Sequence, residues 1–222
     1  WSFRFPGPDG PVKPVKWRGE MVQSVPAREL FDLIVTNAHV IGDPGALFID
    51  EANRYNPCPK WYELESTNPC GEQWLGPYEN CCLGSIAVQN FVQADGSFDW
   101  DGYRTCIALA TEFLDDVVDA NGYVDSVPEL EEAAQGGRRI GLGLMGLADA
   151  LIKMGLRYGS DEGLDFSSQV TEFMRYHAML TSVERARQRG PFARIEQSVY
   201  DPKLLKKLGP GAEYHGARVD GD

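Results

Sequence analysis

The residues best suited to chemistry lie close together in the run Asn68-Pro69-Cys70-Gly71-Glu72-Gln73. Pro69 biases Asn68 away from the helical region, and Gly71 permits either an extended path or a sharp turn. If the run is extended, Asn68, Cys70 and Glu72 share one face, with neighbours roughly 6.5–7 Å apart, two strand rises. That face would present an amide, a thiol and a carboxylate: a hydrogen-bonding anchor, a reactive sulfur and a general base within the span of one sugar ring. Each residue also has an ordinary reading. Asn before Pro is a turn residue, Glu72 a solvated acid and Cys70 a structural thiol, and nothing in the sequence shows that the thiol is activated. Cys81 and Cys82, eleven and twelve residues after Cys70, add a possible redox partner.

The elements that must position these residues are legible to different degrees. Leu30, Leu33, Ile34, Asn37 and Ile41 predict a helix from about Ala27 to Val40, entered at Pro26 and stopped by Gly42-Asp43-Pro44-Gly45. Ala46–Asp50 reads as a short buried strand. Residues 51–99 show little periodicity, which points to a functional loop region, with short strands at Ser85–Asn90 and Ser97–Trp100. Tyr103, Cys106, Ile107, Ala110, Phe113, Leu114, Val117 and Val118 form one apolar stripe, the strongest helix signal in the chain. A shorter helix follows Val127-Pro128 and ends at Gly136-Gly137. Arg138–Leu142 reads as a strand, Leu144–Met154 as a helix closed by Gly155, and Ser160 caps a long helix to about Arg189. Strands alternating with helices predict an α/β fold. Residues 1–25 read as an irregular lead-in, 26–208 as the folded part and 209–222 as a polar, Gly-rich tail.

Composition excludes several classes. The 222 residues are 43% hydrophobic and 24% charged, ordinary for a globular chain. Thirty-three acids against 21 bases leave a net charge of −12, which argues against direct nucleic-acid binding. No window approaches 18 apolar residues, so no membrane span is expected. The N-terminus has neither the charged leader nor the apolar core of a secretory signal, and it lacks Met, so the chain is expected to be processed or a piece of something longer. Five cysteines, an odd number, fit a reducing cytoplasm. Cys58, Cys70, Cys81 and Cys82 could bind zinc, but their gaps are long and no C-x-x-C occurs, so no metal is expected. Cys106 falls on the apolar helix face and is expected to pack there. Gly141, Gly143 and Gly146 spell G-x-G-x-x-G, but no βαβ half precedes them, and close strand–helix packing is the simpler reading.

Asn68-Pro69-Cys70-Gly71-Glu72-Gln73, then Pro77-Tyr78-Glu79 and Cys81 with Leu83-Gly84-Ser85-Ile86, resembles the active-site finger loop of a ribonucleotide reductase catalytic chain. Gly42-Asp43-Pro44-Gly45, Phe48-Ile49-Asp50, Asn53-Arg54-Tyr55-Asn56-Pro57 and Arg138-Arg139-Ile140-Gly141-Leu142-Gly143 through Asp149 resemble its adenosylcobalamin-dependent branch, class II. The resemblance covers most of residues 26–200. It implies part of a ten-stranded α/β barrel with a central finger loop carrying the active-site cysteine. Cys70 matches the residue that becomes a thiyl radical and takes the ribose C3′ hydrogen. Glu72 matches the base that removes the 3′-OH proton, and Asn68 the residue that binds and orients the substrate. Cys81 matches one half of the redox disulfide, whose partner cysteine is expected outside this chain. The implied cofactor is adenosylcobalamin, which supplies the radical that oxidises Cys70.

The same resemblance implies a ribonucleoside di- or triphosphate substrate, a thioredoxin-type reductant, a homodimer in the complete enzyme, and further chain segments to complete the barrel. Cys82 stands where the family often has Asn, and is expected to pack. The chain then reads as a middle section of the catalytic subunit, inactive alone. Two other readings stay open: a class I large-chain segment with a separate radical-generating subunit, and a non-catalytic thiol or zinc interaction module.

Overall fold

In a computed structural model, residues 2–4, 14–80, 82–204, 213–214 and 217–218 are described, the first and the last two of these segments as backbone only. Cys81 lies outside the described residues. The chain packs as two units, Trp1–Phe48 and Ile49–Asp222.

The first unit replaces the expected irregular lead-in with short antiparallel strands. β1 (Ser2–Arg4) pairs with β4 (Ser24–Pro26), and β2 (Val15–Trp17) with β3 (Glu20–Val22). The β2–β3 turn is Arg18-Gly19, both at positive φ, the geometry of a two-residue hairpin. Helix α1 (Ala27–Ile41) ends at Gly42, whose φ of 82° supplies the left-handed cap. Its predicted stripe is only partly covered: Leu30 and Ile34 are half-buried, whereas Leu33 and Ile41 are exposed.

The sequence boundary between the two units carries a correction. Residues 43–48 are irregular, and Ile49–Arg54 form a helix, α2, where a strand was expected. A short apolar run does not separate strand from helix. Here Asp50 and Glu51 in the first turn and Arg54 in the last suit the helix dipole. A two-stranded hairpin, β5 (Ser66–Thr67) and β6 (Trp74–Leu75), leads to β7 (Leu83–Ala87). The strand expected at Ser85–Asn90 therefore starts earlier and gives way to a 3₁₀ turn, Val88–Phe91. Ser97–Trp100 is not a strand: Phe98 makes one bridge to Val92, and Asp99 caps the next helix by accepting the Gly102 N–H at 2.9 Å.

Helix α3 (Trp100–Ala120) buries Tyr103, Ile107, Thr111, Leu114 and Val118, while Phe113 of the predicted stripe is exposed. α4 (Pro128–Gly137) starts on Pro128 and ends at Arg138, whose φ of 46° makes it a left-handed cap and not the first strand residue. β8 (Gly141–Met145) follows, then α5 (Leu147–Met154) and α6 (Asp161–Arg189), the last capped by Ser160. α5 begins at Leu147, later than expected, because Gly146 is left-handed at φ 74°. In the tail, β9 (Glu213–Tyr214) pairs with β10 (Ala217–Arg218) where no element was expected.

β7 and β8 run parallel, with Leu83 opposite Gly141 and Ala87 opposite Met145. Parallel neighbours need a long crossover, and α3 and α4 provide it. The core lies where α3, α5 and α6 meet this pair: Ile86, Val88, Tyr103, Ile107, Leu151, Phe166 and Val170, with Cys106 packed against it. The glycines act as close-packing residues. A Cβ on Gly141 would overlap Leu83, and one on Gly146 would overlap Gln89. Charges fasten the helices outside the core. Arg138 donates to Asp115 at 2.8 Å and to Asp119, Arg185 reaches Asp115 and Asp116, and Arg189 reaches Asp116. The fold is α/β, and no closed barrel is present among the described residues. No described helix is long and apolar enough to cross a membrane.

Candidate active site

The loop before the hairpin is built on two asparagines. Asn53 donates to Leu64 O at 2.8 Å and accepts from Leu64 N at 2.7 Å. Buried Asn56 donates to Tyr62 O at 2.7 Å and accepts from Cys58 N at 2.9 Å. An amide that is both donor and acceptor can replace a missing backbone partner, so a segment without periodicity is still tightly paired. Val199 N–H donates to Pro57 O at 2.9 Å and Trp61 Nε1 to Glu196 O at 3.0 Å, holding the loop on the segment after α6.

From this base the β5–β6 hairpin carries the candidate residues on a four-residue turn. Gly71 N–H donates to Asn68 O at 3.0 Å, with Pro69 and Cys70 at the turn's two central positions. Pro69 supplies the φ that a first central position needs, and Gly71 sits at φ 83°, where a side chain would be strained. Asn68 N–H donates to Gln73 O at 3.1 Å, and Asn68 Oδ1 accepts the Gln73 N–H at 3.0 Å. The extended arrangement with Asn68, Cys70 and Glu72 on one face is therefore not adopted. Local side-chain-to-backbone bonding closes a turn instead. Cys70 and Glu72 are exposed at its tip, whereas Asn68 is buried at its neck, 9% exposed.

Arg139, just ahead of β8, locks the hairpin from below. It donates to Trp74 O of β6 at 2.6 Å and pairs with Glu79. Glu79 Oε2 also accepts the Gly76 N–H at 2.7 Å, closing the turn through Pro77 and Tyr78, the latter at φ 60°. Buried Gln73 reaches towards Gly141 of β8, where only a glycine leaves room. Behind the clamp, Tyr62 and Cys58 are both held protonated beyond their ordinary range, chiefly by burial. The Tyr62 hydroxyl is buried without a hydrogen bond of good geometry, and Glu79 and Cys58 act on it from nearby.

The other thiols differ. Cys82 is half-buried and donates to Leu114 O at 3.5 Å, consistent with packing. Cys58 is 3% exposed, a buried small side chain. Among the described residues no group of three or more His, Cys, Asp or Glu is placed to hold a metal ion. The sequence reading passed over Arg139 and Gln73. The only signal for Arg139 was a pair of adjacent arginines entering a glycine-rich strand, with the acid Glu79 needing a partner.

A family model described as the ribonucleotide reductase barrel domain matches residues 14–210. The chain belongs to this family. Among curated relatives, it is 44% identical over 180 residues to a vitamin B12-dependent ribonucleoside-diphosphate reductase of Mycobacterium tuberculosis (strain CDC 1551 / Oshkosh), covering 81% of this chain and 26% of that protein. It is 42% identical over 187 residues to the protein of that name from Thermoplasma acidophilum, covering 84% and 24%. It is 30% identical over 189 residues to a ribonucleoside-diphosphate reductase subunit alpha of Chlamydia pneumoniae, covering 83% and 18%. The chain spans about a quarter of the length of the first two relatives.

Proposed function

We propose that this chain is the active-site segment of an adenosylcobalamin-dependent ribonucleotide reductase, and that it reduces ribonucleotides only with the rest of the catalytic chain. The observation that carries the reading is the exposed Cys70 thiol at the tip of a hairpin closed at its neck by Asn68 and clamped at its base by Arg139. In the complete enzyme β7 and β8 would be two strands of a ten-stranded barrel, with the hairpin as its central finger loop. The greater identity to relatives named B12-dependent than to the subunit alpha favours the cobalamin branch.

Cys70 suits such a cofactor: the residue is exposed, between Pro69 and Gly71, which add little bulk. When bound, adenosylcobalamin would supply the radical that oxidises this thiol. The Cys70 sulfur then takes the C3′ hydrogen of the substrate ribose and later returns it. Glu72 removes the 3′-OH proton, and the 2′-OH leaves as water. Asn68 orients the substrate, chiefly by holding the turn. Cys81 and a cysteine outside this chain give up two electrons and two protons and become a disulfide, balancing the two-electron reduction of the substrate. The substrate is a ribonucleoside di- or triphosphate, a thioredoxin-type protein restores the dithiol, and the complete enzyme is a cytoplasmic homodimer.

The test is deoxynucleotide formation by the full-length reductase containing this segment, with and without adenosylcobalamin. Product only with the cofactor supports the reading. Product without it, but requiring a second protein, moves the chain to class I.

A further inference from the structure

Arg139 makes contacts that a salt bridge alone does not explain. One arm of its guanidinium reaches the carbonyl of Trp74, two residues after Glu72 and four after Cys70, on the strand leaving the turn. The other arm meets Glu79, whose side chain is 3% exposed and also closes the Gly76–Glu79 turn.

 The guanidinium therefore ties the strand leaving the Cys70 turn to the turn that leads on towards Cys81, and does so from the residue that starts the approach to β8.

We propose that Arg139 is the positioning residue of the Cys70 hairpin, holding it in register with the β7–β8 pair through Trp74 and Glu79. This rests on the functional reading above. A planar fork can serve a carbonyl and a carboxylate at once, which a lysine ammonium on a flexible stem does poorly. The pair is largely buried, with Arg139 22% and Glu79 3% exposed, so removing either partner strands the other. A displacement of about 1 Å at a reacting group can cost about a hundredfold in rate, so the clamp acts on turnover without touching substrate.

The experiment uses the full-length reductase with Arg139→Gln, Arg139→Lys, Glu79→Gln and the Arg139→Gln/Glu79→Gln double variant. Turnover is expressed per folded protein, with the folded fraction taken from near-UV circular dichroism. Arg139→Gln is expected to lower kcat by about a hundredfold with KM within about twofold of the parent. Arg139→Lys recovers part of the loss, and the double variant is no worse than the worse single, because the two residues act as a unit. An unchanged kcat per folded protein, or additive losses in the double variant, overturns the proposal. If the parent reductase itself makes no deoxynucleotide, the functional reading fails, and the clamp is then judged by the alkylation rate of Cys70. A changed rate in folded Arg139→Gln supports the clamp, and an unchanged rate overturns it.

Discussion

The side chain of Asn68 accepts the backbone N–H of Gln73 at 3.0 Å, across the neck of the turn that carries Cys70. An amide oxygen thus does the work of a strand carbonyl, one step beyond the last β5–β6 pair. Asn68→Ala leaves the buried Gln73 N–H without its partner, a loss of about 1–3 kcal/mol in the local stability of the hairpin. Asn68→Asp keeps the acceptor. Hydrogen exchange at the Gln73 amide checks this: it is expected to speed up in the Ala variant and stay slow in the Asp variant. Fast exchange in both would contradict the neck's dependence on that oxygen.

Two glycines separate backbone strain from crowding. Gly71 has φ 83° and open space around a built Cβ, so Gly71→Ala meets only the backbone penalty, about 1 kcal/mol. Gly141 lies against Leu83, with Gln73 close by, so Gly141→Ala overpacks the β7–β8 pair and costs about 1–3 kcal/mol. Urea unfolding of the two variants is expected to rank Gly141→Ala as the more destabilised.

The thiols are expected to react in a set order. Cys70 is exposed, Cys82 and Cys106 are half-buried and Cys58 is buried. Burial also pushes the Cys58 thiol above its ordinary range, so little thiolate forms there near neutrality. Alkylation at about pH 8, followed by peptide mass mapping, is expected to label Cys70 before Cys58. Equal rates would contradict the packing around Asn56 and Tyr62.

The charged junction of α3, α4 and α6 predicts an acid response. Hydrogen bonds from Arg185 hold the Asp116 carboxyl below its usual range, and hydrogen bonds from Arg138 do the same for Asp119. With lowered native pKa values, the unfolded chain binds more protons in acid, so this stabilisation is present above the ordinary carboxylate pKa and is lost as pH falls through the native values. Both carboxylates are about half exposed, so the effect is modest and weakens with salt. Arg138→Gln is expected to lower Tm at neutral pH, by an amount that shrinks below roughly pH 4. A difference constant across pH would contradict this origin.

The longer helices were legible because their stripes and stops are local, whereas the six-residue α2 was not. Ser160, Gly42 and Pro128 sit at the ends of their helices, as their chemistry requires. Strand limits were not, since Arg138 and Gly146 take left-handed conformations that only the packed chain selects. Asn68-Pro69-Cys70-Gly71-Glu72 was recognisable as a string, but its shape was not. The choice between an extended run and a turn depends on the Asn68–Gln73 bonds and on Arg139, some 65 residues further along. Composition and periodicity carry no information about such long-range pairs.

The most direct test of the central claim is turnover by the full-length reductase carrying Cys70→Ser, beside the parent enzyme and with cofactor and reductant supplied. A serine hydroxyl keeps the size of the side chain but does not form a thiyl radical. The account predicts that deoxynucleotide formation is abolished while substrate binding and Tm are retained. Turnover by Cys70→Ser at the parent rate would contradict it.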